Sequence, residues 1–296
     1  MSLSLSRRQF LPALGVAALQ AQPATRFQVC CMTLAWSAYP FERGLRGVAA
    51  AGYRYVAWGP RHQNTNTVPF DAPPSQAAEL AARTRDHGLE PLLQFAVHYP
   101  EKSDAVDVYR KRIAQTAAAR IPYLLAFGSP KNGPEAWPVW IRTFKQLGPI
   151  ARDAGVTVVV KQHGGTTGTG ADCARVVREV DDEGIQMFYD AGNTRWYVDA
   201  DPVADIQSCA QLVRGFAIKD CRLWPKKATC APGLGEIDHF KLLGAVAKTG
   251  RRIPLAVETL FEPYAARPSE PEGIDVLARR SREFLETVVR GLAAAG

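Results

Sequence analysis

Four apolar runs in the chain end on titratable side chains. Val158-Val159-Val160 leads into Lys161-Gln162-His163, and Met187-Phe188-Tyr189 into Asp190-Ala191-Gly192-Asn193. Phe216-Ala217-Ile218 leads into Lys219-Asp220, and Ala256-Val257 into Glu258. A buried extended segment that finishes this way delivers a polar group to the place where the core meets solvent. Residues two apart on an extended chain share a side, so Lys161 and His163 point the same way. The Lys161 ammonium can hydrogen-bond a substrate oxygen as charge builds on it, which is the part a Lewis acid plays in other enzymes. His163 can move a proton, while Asp190 and Glu258 can orient Lys161 or act as bases. Lys161, His163, Asp190 and Glu258 therefore form the candidate catalytic set, with Lys219 and Asn193 placed to bind hydroxyl groups.

Further polar and aromatic residues follow other apolar runs. Trp36 comes after the first, His62 after the second and His98 after the third. The two histidines are candidate substrate contacts, and Trp36 could stack on the apolar face of a sugar ring. His239 lies further into a late loop.

The elements that must position these residues alternate along the chain. Eight short apolar runs read as strands: 28–34, 55–58, 91–97, 123–127, 157–161, 187–189, 216–218 and 254–258. Between them, helical periodicity covers 41–51, 74–87, 105–119, 136–154, 171–180, 203–212 and 239–248. Strands that are apolar almost throughout belong to a parallel sheet covered by helices, and eight strand–helix units predict a single closed (β/α)8 TIM barrel over residues 25–296. Chemistry in such barrels gathers at the C-terminal ends of the strands. Gly52, Gly88, Gly155, Gly184 and Gly250 each precede a strand, where a left-handed helix end favours glycine. An open dinucleotide-binding sheet would carry a glycine-rich loop after its first strand, but Ala35-Trp36-Ser37-Ala38-Tyr39-Pro40 has no glycine.

The segments 158–165, 189–193 and 218–220, then Gly233-Leu234-Gly235-Glu236-Ile237-Asp238 and Val257-Glu258-Thr259, resemble the sugar phosphate isomerase/epimerase family of xylose isomerase-like TIM barrels. The resemblance implies a barrel acting on a small-molecule carbohydrate by proton transfer beside a carbonyl, as an isomerase, an epimerase or a keto-sugar lyase. It also implies one divalent ion (manganese, zinc, magnesium or cobalt) held by Glu, Asp, His and Glu on strands five to eight. Asp190 and Glu258 match two of those ligands, but Lys161 stands at the strand-five glutamate, Ala217 at the strand-seven histidine and Ala57 at the strand-two acid. Two glutamates, one aspartate and a divalent ion sum to −1, and so do Lys161, Asp190 and Glu258 together. Replacement of the metal by the Lys161 ammonium is the expectation, with no cofactor. The alternatives are a metal enzyme in which His163, Asp190 and Glu258 hold the ion, since three protein ligands suffice, and a carbohydrate-binding protein without catalysis.

The 296 residues are 47% hydrophobic and 22% charged, which excludes a disordered or fibrous chain. The net charge of +7 comes from scattered pairs such as Lys226-Lys227 and Arg251-Arg252, without the aromatic-interleaved basic tract of a single-strand binder, so no nucleic-acid partner is expected. Six cysteines are too few for a disulfide scaffold; Cys221 and Cys230 bracket one loop and are the pair to test for a bridge. Ser6-Arg7-Arg8-Gln9-Phe10-Leu11 opens a short Ala- and Leu-rich stretch ending near Ala21 or Ala24. A paired arginine before a mildly apolar run reads as a twin-arginine export signal over residues 1–24, with the mature protein in the periplasm and free of the membrane. Mass analysis of protein from its native host should show the loss of about twenty N-terminal residues; an intact N-terminus would overturn the expectation.

Overall fold

A computed structural model describes residues 23–295, so all but the last two residues of the segment read as an export signal lie outside it. The eight barrel strands are β1 (Arg26–Met32), β2 (Tyr55–Trp58), β3 (Glu90–Phe95), β4 (Tyr123–Ala126), β5 (Thr157–Val160), β6 (Ile185–Tyr189), β7 (Val213–Ile218) and β8 (Arg252–Val257). They close in the order β1-β8-β7-β6-β5-β4-β3-β2, every pair parallel, with β1 and β8 in register from Arg26↔Arg252 to Cys31↔Val257. The fold is the (β/α)8 barrel that eight apolar runs lead one to expect.

Alternation along each strand separates two cores. Val158 and Val160 face outward beneath the helices, while Val159 faces the barrel axis. The axial core contains Cys30, Met32, Ala57, Leu93, Phe95, Leu125, Val159, Phe188, Ala217 and Ala256. Two residues beyond Val159, Phe188, Ala217 and Ala256 stand Lys161, Asp190, Lys219 and Glu258. The strand period thus lifts four charged residues onto the layer directly above the apolar plug.

Five long helices follow the early strands: α1 (Phe41–Ala50), α2 (Pro74–Asp86), α3 (Ala105–Ala118), α4 (Trp137–Asp153) and α5 (Gly170–Val180). Thr169 and Asp172 form a capping box at the start of α5. The expected helix over 203–212 is instead broken. Asp201 caps a single turn, α6 (Pro202–Asp205), and two 3-10 turns follow. Cys209 leaves helical geometry at φ −136° and packs its thiol against Gly170. The next helix, α7, spans only His239–Gly244. The closing helix α8 (Pro271–Ala294) returns to the first strand–helix unit, where Asp275 accepts the Trp36 indole N–H at 2.9 Å and both arms of the Arg43 guanidinium.

Of the five glycines expected in left-handed turns, four have positive φ, and Gly184 does not. Close approach explains Gly184: a Cβ there would lie 2.1 Å from the carbonyl oxygen of Gly148. All six cysteines are buried free thiols. Cys221 and Cys230 lie in one short hairpin, but Cys221 faces Thr229 and Asp220 faces Cys230. The two cysteines are therefore offset by one residue, so their side chains point to opposite faces of the hairpin, which suits no disulfide. Among the described residues no helix is long and apolar enough to cross a membrane.

The contrast between two glycines is testable by chemical denaturation. Gly184→Ala should cost about 1–3 kcal/mol or more through overlap with a backbone that cannot yield. Gly88→Ala, in open space at φ 73°, should cost only the left-handed penalty of about 1–2 kcal/mol. A cost below about 1 kcal/mol at Gly184 would contradict the packing account.

Candidate functional site

At the C-terminal mouth, four charges bind one another in a ring. Lys161 Nζ donates to Asp190 Oδ2 and Glu258 Oε2, each at 2.7 Å. Lys219 Nζ donates to Asp190 Oδ2 at 3.1 Å and to Glu258 Oε1 at 2.7 Å. Lys219 is thus a second bridging ammonium, and the count of −1 becomes two positive and two negative charges, or zero. Nothing local in the sequence shows that β7 sits between β6 and β8 with the Lys219 side chain aimed at both carboxylates. The other three side chains are at most 5% exposed, whereas Glu258 is 16% exposed and marks the open side.

Backbone contacts hold the ring in place. The Asn193 backbone N–H donates to Asp190 Oδ1 at 2.9 Å, and the Asp190 N–H donates to Gln162 Oε1 at 2.9 Å. Asn193 Nδ2 donates to the Gln162 carbonyl at 2.7 Å, so Asn193 is a buried positioning residue. Every carboxylate oxygen of the ring accepts a bond. Each ammonium spends two of its three protons there and keeps one.

Burial alone would push the Lys161 ammonium down, but Asp190 and Glu258 hold it above the ordinary lysine range. Burial would likewise raise Glu258, yet the charges of Lys161 and Lys219 hold it well below the usual carboxylate range. His163 sits beside the ring with Nδ1 2.9 Å from the Gly128 carbonyl. A carbonyl only accepts, so the proton is on Nδ1 and the Nε2 lone pair is free. Burial, and then the Lys161 charge, push the imidazole down. His163 is neutral at pH 7 and competent as a base.

Tyr197 is a site residue that sequence reasoning missed. After Asp190 the chain makes one helical turn and then a π turn over Thr194–Val198, a geometry that often accompanies functional sites. The turn lays the Tyr197 ring over Gly164, where a Cβ would come within 2.8 Å, and 5.4 Å from the His163 ring. Burial raises the phenol, which also feels the charges of Lys161, Asp190 and Glu258. The left-handed Gly164, at φ 72°, was the available signal.

Other expected contacts lie elsewhere. Trp36 is fully buried between α1 and α8, fitted over Gly47, and cannot stack on a ligand. His62 is buried, with Nε2 2.9 Å from Thr33 Oγ1 and Nδ1 3.0 Å from the Tyr39 carbonyl. His98 pairs through Nε2 with Asp104 at 2.8 Å, tying down its own loop. His239 is buried behind the site with Nδ1 near the Ile237 carbonyl. Asp220, next to Lys219, accepts the N–H groups of Cys221, Gly233 and Ile237 and so folds the 233–238 loop. Gly235 passes so close to Asp220 that a Cβ would overlap it at 2.1 Å. A cavity of about 390 Å³ opens beside Glu258, lined also by Leu34, Ser37, Phe261 and Arg267. A larger one, near Pro23 and Thr249, lies at the other end of the barrel.

The residues present do not fit a divalent ion. Ammonium groups lie where a metal would meet Asp190 and Glu258, the carboxylate oxygens are spent on them, and Ala217 faces the axis below. Among the described residues, no group of three or more His, Cys, Asp or Glu side chains could hold a metal.

Lys161→Ala should leave one ammonium for two carboxylates. Loss of one partner from a buried pair typically costs about 3–5 kcal/mol. Glu258 has a depressed folded pKa, so its contribution is present above the unfolded carboxylate pKa and lost as pH falls through the folded value. The wild-type advantage over Lys161→Ala should therefore be full at pH 7 and shrink in acid. Denaturation of both proteins at pH 7 and pH 3 checks this, and an advantage that grows in acid would refute the ring as a stabilising unit.

A family model described as xylose isomerase-like TIM barrel matches residues 45–285. A xylose isomerase-like TIM barrel/4-hydroxyphenylpyruvate dioxygenase fusion protein is similar at TM-score 0.70 and 19% identity, over 90% of this chain and 44% of that one. This chain therefore spans less than half of the fusion protein's length. An L-ribulose 3-epimerase structure is similar at TM-score 0.66 and 17% identity, over 90% and 96% of the two chains. The IOLI protein with a bound zinc atom is similar at TM-score 0.69 and 16% identity, over 88% and 98%. At these identities the likeness is one of fold. No curated protein matches the sequence. The closed barrel and a family match that runs from the first helix into the last agree, and the chain belongs to the xylose isomerase-like TIM barrel family.

Proposed function

We propose that this protein is a sugar isomerase- or epimerase-like enzyme, or a keto-sugar lyase, that moves a proton beside a carbonyl. In this reading the Lys161 and Lys219 ammoniums do the work of a divalent ion. The observation that carries it is the ring of Lys161, Asp190, Lys219 and Glu258 at the barrel mouth, with neutral His163 beside it. The remaining proton on each ammonium is free to hydrogen-bond a carbonyl or hydroxyl oxygen. As His163 Nε2 removes the proton from the adjacent carbon, those donors stabilise the enolate oxygen. Asp190 and Glu258 hold the two cations at fixed positions, so little reorganisation accompanies the charge shift. Tyr197 offers an aromatic wall with a phenolic donor on the side of His163. The reading extends to a mature, exported protein acting on a carbohydrate in the periplasm, supported by Arg7-Arg8 and the apolar stretch after them.

A schiff base through Lys161 is disfavoured, since an ammonium held above its ordinary pKa is a poor nucleophile. The similar L-ribulose 3-epimerase structure lends support to the substrate class.

The test is incubation with aldoses, ketoses and keto-sugars in heavy water, followed by mass spectrometry. Deuterium should enter the carbon beside the carbonyl of the true substrate, chelators should not slow it, and His163→Gln should slow it by about 10²–10⁴-fold. Binding without exchange would overturn the catalytic reading. Exchange that stops on chelation and returns with manganese or zinc would overturn the metal-free one.

A further inference from the structure

A second polar site lies behind the barrel wall, between β2, β3 and α3, beneath the hairpin of Arg61–His62 and Thr65–Asn66. Arg112, on α3, is 1% exposed. Its guanidinium donates to the carbonyls of Ala96 and Val68 and to Gln115 Oε1, and lies 4.2 Å from the Phe70 ring centroid. No carboxylate pairs with it among the described residues, and burial alone pushes it down to about 10. A buried cation without a counter-charge is costly, and protein interiors rarely leave one so.

Two more donors face the same unmet need. Trp58 Nε1 and Gln94 Nε2 are both buried and have no hydrogen-bond partner. Trp58, Gln94 and Arg112 line one cavity of about 10 Å³, together with Val68 and Val97, which is close to the least volume that holds a single solvent-sized body. Val97 has φ 60°, a conformation that a β-branched residue avoids unless its surroundings impose it. The carbonyls nearby each already accept one bond, those of Val68 and Ala96 from Arg112 and those of Gly59 and Pro60 from Thr67. A water molecule would bring no charge to match the guanidinium.

We propose that this cavity is a binding site for one monatomic anion of the halide class, held by Arg112, Trp58 Nε1 and Gln94 Nε2. The ion supplies the missing counter-charge, satisfies two orphaned donors and ties α3 to the bend at Val97. That bend leads directly into His98 and Tyr99, and Tyr99 packs edge-on to Phe127 beside His163. Occupancy of the site therefore braces the wall of the mouth without touching the charged ring.

Crystals of the full protein grown in sodium bromide should give an anomalous peak inside the cavity. Thermal unfolding should occur at higher temperature in chloride than in gluconate at equal ionic strength, with saturable dependence on chloride. Trp58→Phe keeps the packing and removes one donor, and should raise the chloride midpoint by roughly tenfold. Bromide found only at surface lysines, water alone in the cavity, or identical melting in the two salts would overturn the proposal.

Discussion

Asp190 and Glu258 face one another at the top of an apolar barrel, and the two lysines between them let that arrangement exist. An ammonium about 4 Å from a carboxylate gains roughly 4 kcal/mol at an effective dielectric near 20, before desolvation is counted. Four such contacts share four residues, each delivered by a different strand. The ring therefore depends on strand register: a slip of one residue in any of the four would turn a charge into the layer beneath the helices. Fold and site are coupled through this single constraint.

The axial core beneath the ring shows how the coupling is built. Ala217 and Ala256 are small, while Phe188 is large, and the three fill the axis from neighbouring strands. Here the strand that lacks a histidine at Ala217 supplies a lysine two residues later. Positive charge enters from β5 and β7, negative charge from β6 and β8. Alternation around the ring places each cation between anions, which is why the whole can be buried with a net charge of zero.

Much of this arrangement was legible in the sequence because it obeys a short period. All eight barrel strands correspond to apolar runs, and Lys161, Asp190 and Glu258 follow three of them directly. The failures share one cause, which is that tertiary neighbours decide them. Trp36 stands after β1 as a mouth residue should, but a 3-10 turn swings it outward to Asp275, nearly the length of the chain away. His62 follows β2 yet is consumed by Thr33 and Tyr39. Tyr197 comes seven residues after Asp190, with no spacing that separates it from an ordinary loop tyrosine until the π turn is seen. Gly184 differs from its four counterparts only because α4 passes close to it.

The latch between α8 and the first strand–helix unit bears on when the protein can finish folding. Arg43 and Trp36 lie near the beginning of the chain, and the carboxylate that serves both, Asp275, is carried by its last helix. The ring of strands closes at the same seam, since β1 hydrogen-bonds to β8. Without α8 the first unit carries a guanidinium and an indole that lack their shared acceptor. A copy that stops before α8 lacks the contacts that hold Arg43 and Trp36 in place.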